Sequence, residues 1–142
     1  MDHLRKLLAA REMFPVERTE TVADVARKMT QRNVGAILVL DRGALCGVFS
    51  ERDLMRRVVV ENRDPASTLV EEVMSRNLSV ISDDATIEEA MQTMSRLGIR
   101  HLPVVRGSEA LGMVSMRDLM DIELERRTLE LEQMRSYIHG AA

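Results

Sequence analysis

A serine, an arginine and an aspartate recur in one tight pattern. Gly47-Val48-Phe49-Ser50-Glu51-Arg52-Asp53-Leu54-Met55 reads again as Gly112-Met113-Val114-Ser115-Met116-Arg117-Asp118-Leu119-Met120, 65 residues later. The types suit one kind of chemistry. A glycine lets another group come close to the backbone. A serine at a helix start leaves its hydroxyl and the free helical N–H groups pointing outward, where anions collect. An arginine offers a forked donor for phosphate oxygens. An aspartate one turn into the helix has two acceptor oxygens, enough for both hydroxyls of a vicinal diol. Diol acceptor, phosphate donors and apolar walls together describe a nucleoside-phosphate pocket. Ser-x-x-Asp is also a capping box, and the chain uses that device at Thr21/Asp24 and Thr86/Glu89 with no ligand implied. The doubling favours a site, because both copies keep a glycine and an arginine that capping does not need.

The same 65-residue shift aligns Leu4 with Leu69, Thr21 with Thr86, Met29 with Met94 and Val39 with Val104 without a gap. A repeat of this size built on one supersecondary pattern predicts two copies packed face to face. The elements follow from periodicity. Leu4, Leu7 and Leu8 give a short helix before Pro15. Pro15 to Arg18 is extended, and Thr21 caps a helix that Asn33 and Gly35 stop. Ile37 to Leu40 is a strand buried on both faces, Asp41-Arg42-Gly43 a hairpin turn, and Leu45 to Phe49 the return strand. Ser50 then opens a helix carrying Leu54, Met55, Val58 and Val59. Asn62 to Thr68 is the link between copies. The second copy repeats the order: a short helix at Leu69 to Met74, a strand at Leu78 to Ile81, a capped helix from Thr86 to Leu97, strands at His101 to Val105 and Ala110 to Val114, and a helix from Ser115. The fold class is α+β, two β-α-β-β-α repeats, divided as 1–64, 65–127 and a helical extension 128–142.

Composition narrows the function. The chain has 142 residues, and a half of that size would be marginal alone, so a shared core is expected. Its net charge of −3 and 2% aromatic content disfavour a nucleic-acid binder, which needs basic excess and stacking platforms. A single cysteine, Cys46, gives no internal disulfide and fits a reducing compartment. No apolar run is long enough to span a membrane. The start, Leu4 to Arg11, is too charged and short for a signal peptide. We therefore expect a cytoplasmic protein. No His/Cys/Asp/Glu cluster has metal-ligand spacing, and no Ser-His-Asp or Cys-His arrangement has a supporting frame. No catalytic residue and no catalytic cofactor are expected. Arg100 and His101, two cationic donors at a strand start, suit phosphate. The first copy has Gly35 and Ala36 there, so the two pockets are not equivalent. Leu124, Leu131 and Ile138 lie at heptad spacing, with Met134 between, on a terminal helix that outruns the repeat; this is a self-association stripe.

The doubled Gly-apolar-apolar-Ser-x-Arg-Asp unit, with Arg100-His101-Leu102-Pro103-Val104-Val105 in the second copy, resembles a tandem CBS-domain pair, the cystathionine β-synthase regulatory module, over residues 4 to 125. The resemblance implies a pseudo-twofold disc with two clefts between the copies, where adenosine compounds bind. By position, Asp53 and Asp118 would take ribose hydroxyls, and Ser50 and Ser115 ribose or phosphate. Arg52, Arg117, Arg100 and His101 would face phosphates. Val16 to Thr19, Val34, Gly35 and Val48 would wall adenine, as would Val80 to Ser82, Ile99 and Met113, and each cleft would mix segments from both copies. It implies a regulatory ligand such as AMP, ADP, ATP or NAD(H), and a homodimer of discs that signals through its own change or through a protein partner. The alternatives are an adaptor with vestigial clefts, or a binder of S-adenosylmethionine.

Overall fold

The structure is a computed structural model that describes residues 3–140. Helix α1 (Leu4–Ala9) leads into strand β1 (Val16–Glu17), helix α2 (Val22–Arg32), and the hairpin β2 (Ala36–Asp41) and β3 (Ala44–Ser50). Helix α3 (Glu51–Asp53) continues as a π-helical stretch over Leu54–Val59. The second copy runs α4 (Val70–Val73), β4 (Ile81–Ser82), α5 (Ile87–Leu97), β5 (His101–Arg106), β6 (Glu109–Ser115) and α6 (Met116–Gly140).

Local signals account for the elements. Thr21 Oγ1 accepts from the Asp24 N–H at 3.2 Å, and Asn33, in the left-handed region at φ 54°, closes α2. Only half of the expected capping box forms there, because the Asp24 carboxylate turns to Arg27. Around α5 the box is complete, and Gly98 at φ 67° ends the helix. Each hairpin turn uses a positive-φ glycine, Gly43 or Gly107. The second copy's first strand starts later than its apolar residues suggest. Leu78 to Val80 lie outside β4, and pairing begins at Ile81, opposite Val104. Val80 is exposed, so it has no sheet partner to bury it.

Two three-stranded sheets result, ordered β1-β2-β3 and β4-β5-β6, each with a parallel and an antiparallel pair. Their registers match at a shift of 65: Val16 opposes Val39 as Ile81 opposes Val104, and each hairpin breaks register at the same place, Val39/Leu40 and Val104/Val105. The sheets meet through equivalent strands. Leu38, Leu40 and Ala110 form a buried cluster with Leu45, Val48 and Met113, so Leu45 and Ala110, one repeat apart, share one interface.

The lead-in helices are exchanged. Leu4, buried with Leu7 and Leu8 beside it, belongs to the second core around Ile87, Met94, Leu102 and Leu119. Val70 and Val73 of α4, with Met74 just after it, belong to the first core around Phe49, Val25 and Val39. The Leu4 N–H donates to the Ala85 carbonyl at 2.9 Å, and the Val70 N–H to the Glu20 carbonyl at 2.8 Å. The donors of these two contacts lie 66 residues apart and their acceptors 65, so the expected gapless pairing of Leu4 with Leu69 slips by one residue before β1.

Candidate functional site

Ser50 and Ser115 both stand where a strand becomes a helix, and both cap it. The Asp53 N–H donates to Ser50 Oγ at 3.2 Å and the Asp118 N–H to Ser115 Oγ at 3.0 Å. Each aspartate reaches back to its serine N–H, at 3.0 Å for Asp53 and 3.4 Å for Asp118. Capping and ligand binding are therefore not alternatives at these positions; capping fixes the carboxylate in place.

The two carboxylates nevertheless face different surroundings. Asp53 is buried, 7% exposed. Its Oδ1 and Oδ2 accept from the Ser75 hydroxyl at 3.1 and 3.4 Å, and Oδ2 also accepts from the Ser50 hydroxyl at 3.1 Å. Ser75 is held there by a backbone bridge to β3. The Val48 N–H donates to the Ser75 carbonyl at 3.0 Å, and the Ser75 N–H to the Val48 carbonyl at 2.9 Å. Arg57 ties down the same segment, its Nη1 donating to the Met74 carbonyl at 2.8 Å and the Val73 carbonyl at 3.2 Å. Met74 fills the space over Gly47, where an added Cβ would lie 2.2 Å from its sulfur. The first motif is thus closed over by the chain's own Met74-Ser75, with the Asp53 carboxylate engaged by the Ser50 and Ser75 hydroxyls. A buried carboxylate takes whatever donors lie within reach, and the stretch after α4 supplies them.

Asp118 opens onto a cleft of about 820 Å³. Ser115, Arg117, Arg100 and His101 line it from the second copy, and Phe14, Val34, Gly35 and Ile37 from the first, with Met113 on the floor. The cleft mixes both copies, as expected. Of the residues named from sequence, Ser115, Arg117, Asp118, Arg100, His101, Val34, Gly35 and Met113 come together here, and Ser50, Arg52, Asp53, Val16, Thr19, Val48, Val80, Ser82 and Ile99 do not line it. Val16 is core, and Thr19, Ser82 and Val80 are exposed elsewhere. Reasoning from sequence missed Arg11, Phe14 and Glu51, all on the cleft wall. The only sequence signal for Arg11 was a basic residue in the loop before Pro15.

Four carboxylates, Glu12, Glu51, Asp118 and Asp121, line the cleft together with the guanidinium groups of Arg11, Arg100 and Arg117. Arg11 Nη1 lies 3.0 Å from Asp118 Oδ2. Burial pushes the Asp118 carboxyl up, but the Arg11 guanidinium and the Ser115 bonds outweigh it and hold the carboxyl below its usual range. Burial also holds His101 below the ordinary histidine value, with Arg100 adding to that and Asp118 and Glu51 opposing it. Among the described residues no carboxylate pairs with Arg100 or Arg117. Gly35 stands opposite His101, and a Cβ there would come within 3.6 Å of the ring. Among the described residues no group of three or more His, Cys, Asp or Glu could hold a metal ion.

Comparison with known proteins gives a consistent picture. The CBS domain profile matches residues 5–60 and 70–125. The chain is 36% identical over 126 residues to the mitochondrial CBS domain-containing protein CBSX3 of Arabidopsis thaliana, covering 85% of this chain and 61% of that protein. It is 38% identical over 108 residues to the CBS domain-containing protein YhcV of Bacillus subtilis, covering 76% of each. Among solved structures, the CBS domain of NE2398 superposes with a TM-score of 0.80 at 27% identity, covering 87% of this chain and 99% of that one. The CBS-domain containing protein ATU1752 of Agrobacterium tumefaciens shares the fold, with a TM-score of 0.77 at 24% identity over 86% of this chain and 99% of that one. The chain spans about 60% of the length of the first curated relatives it matches.

Proposed function

The chain belongs to the CBS-domain family, whose tandem pairs are in general regulatory rather than catalytic modules, and from that premise we propose that it binds an adenine nucleotide in the Asp118 cleft. One observation carries the reading. A carboxylate, a hydroxyl, two guanidinium groups and an imidazole, those of Asp118, Ser115, Arg100, Arg117 and His101, line one cleft together with the apolar side chains of Phe14, Val34 and Met113. That arrangement supports a diol at Asp118, phosphate at the cationic groups and a purine against Phe14, Val34 and Met113. The volume lies in the range of small-molecule sites. Arg100 and Arg117 favour AMP, ADP, ATP or NAD(H) over S-adenosylmethionine, whose sulfonium is positive.

A regulatory module of this kind acts through a change in its own assembly or in a partner protein. The exposed apolar residues of α6, Leu124, Leu131, Met134 and Ile138, support pairing of two copies. No helix of the described residues is long and apolar enough to cross a membrane. We retain the cytoplasmic reading on the single cysteine.

Titration calorimetry of the full chain with AMP, ADP, ATP, NAD and S-adenosylmethionine tests the proposal. Saturable heat with a phosphorylated adenosine compound and no turnover is expected. The absence of heat with all of them would leave the adaptor reading, which the Arg11–Asp118 pair favours because it already satisfies the carboxylate.

A further inference from the structure

Arg11 follows α1 in a stretch without helix or strand, from residue 10 to residue 15, so its guanidinium can move without unwinding an element. It donates to Asp118 Oδ2 at 3.0 Å, and both side chains are 37% exposed. The pair does not repeat. In the corresponding stretch of the second copy, Arg76 Nη2 instead donates to the Glu71 carbonyl at 2.8 Å. Arg11 therefore sits on the motif aspartate that faces an open cleft, and Arg100, Arg117 and His101 line the same space.

We infer that Arg11 serves Asp118 and a ligand phosphate in turn, and so sets the cleft's preference for phosphorylated over unphosphorylated nucleosides. This rests on the nucleotide reading of the cleft. A ribose diol donates to a carboxylate, and Oδ2 of Asp118 already accepts from Arg11 and from the Ser115 N–H. The diol must displace the guanidinium. A bare nucleoside breaks the ion pair and offers Arg11 nothing. A nucleotide brings a phosphate, whose oxygens match the guanidinium fork as well as a carboxylate does. The same side chain thus opposes one ligand and helps the other.

Calorimetry of the full chain with AMP and with adenosine, for wild type and Arg11→Ala, separates these roles. Arg11→Ala should weaken AMP by about tenfold, the effect of one charge-assisted hydrogen bond. It should leave adenosine unchanged or tighten it by up to about fivefold, the value of a half-exposed ion pair. The AMP-to-adenosine ratio then falls by about tenfold or more. Equal loss for both ligands, equal gain for both, or no change in either would overturn the inference while leaving the nucleotide reading intact. Wild type that binds neither ligand would overturn the nucleotide reading itself. A second measurement needs no ligand: carbon-13 NMR should show the Asp118 carboxyl titrating at higher pH in Arg11→Ala than in wild type, and an unchanged titration would overturn the pairing.

Discussion

The Ser75 hydroxyl donates to Asp53 Oδ1 at 3.1 Å, and in the other half the corresponding stretch, Ala9-Ala10, has no hydroxyl to offer Asp118. Among the described residues no backbone bridge joins that stretch to β6, as Ser75 is joined to Val48. One hydroxyl and one bridge separate a buried carboxylate from an open one.

Asp118→Ala should therefore remove nucleotide binding, whereas Asp53→Ala should leave it. Asp53→Ala instead deprives the Ser50 N–H and the Ser50 and Ser75 hydroxyls of their acceptor, at a cost of about 1–3 kcal/mol in stability. Calorimetry should give one nucleotide per chain in wild type and in Asp53→Ala, and urea melts should show the loss. Equal binding losses in the two variants would mean that both carboxylates serve ligands.

Gly47→Ala should destabilise more than Gly112→Ala. An added Cβ at Gly47 lies 2.2 Å from Met74 Sδ and 2.8 Å from its Cγ, and Met74 is buried. At Gly112 the nearest atom is Leu8 Cδ2 at 2.9 Å, on a half-buried side chain that can shift. Overpacking at Gly47 should cost about 1–3 kcal/mol. Paired denaturation curves decide the order.

Acid should weaken the ligand-free protein partly through His101. Burial holds its folded pKa below the ordinary 6.5, so the unfolded chain binds the proton more readily. Stability from this group is complete well above 6.5 and falls as pH drops from 6.5 toward the folded value. Asp118 acts in the same sense at lower pH, because its depressed carboxyl adds stability that is lost as pH falls through its folded pKa. His101→Gln should flatten the stability profile between pH 7 and 5 relative to wild type. An identical slope would show that the ring takes its proton as freely folded as unfolded.

Ending the chain after Arg127 should weaken self-association and spare the fold. Leu119 is the one buried residue of α6, and Leu131, Met134, Tyr137 and Ile138 are all exposed. Light scattering of the full chain at micromolar concentration should give a dimer mass, and the shortened chain should dissociate at higher concentration. A monomer mass for the full chain, or unchanged association after truncation, would go against this stripe.

Most of the architecture was legible because it repeats. The match of Ser50 and Asp53 with Ser115 and Asp118 carried the hairpins and helix starts with it, and the registers agree residue for residue. The π-helical stretch after Asp53 was not legible, since Leu54 to Val59 have no spacing that distinguishes it from an ordinary helix. Neither was the closure over Asp53. Ser75 is 22 residues away and reads as a surface serine until α4 docks on the first core. Arg11 is further still, 107 residues from Asp118. Local patterns reveal which groups could bind; which of them is already engaged depends on contacts across the chain.

The exchange of α1 and α4 has a consequence for how the protein is made. Leu4 leaves the ribosome long before Ala85, whose carbonyl receives its N–H. Helix α1 must wait for the second copy before it finds its place, and the first core stays open until α4 emerges. A nick in the 62–68 link would give two fragments, each carrying the helix that closes the other, so such fragments should assemble as a pair and remain unfolded apart.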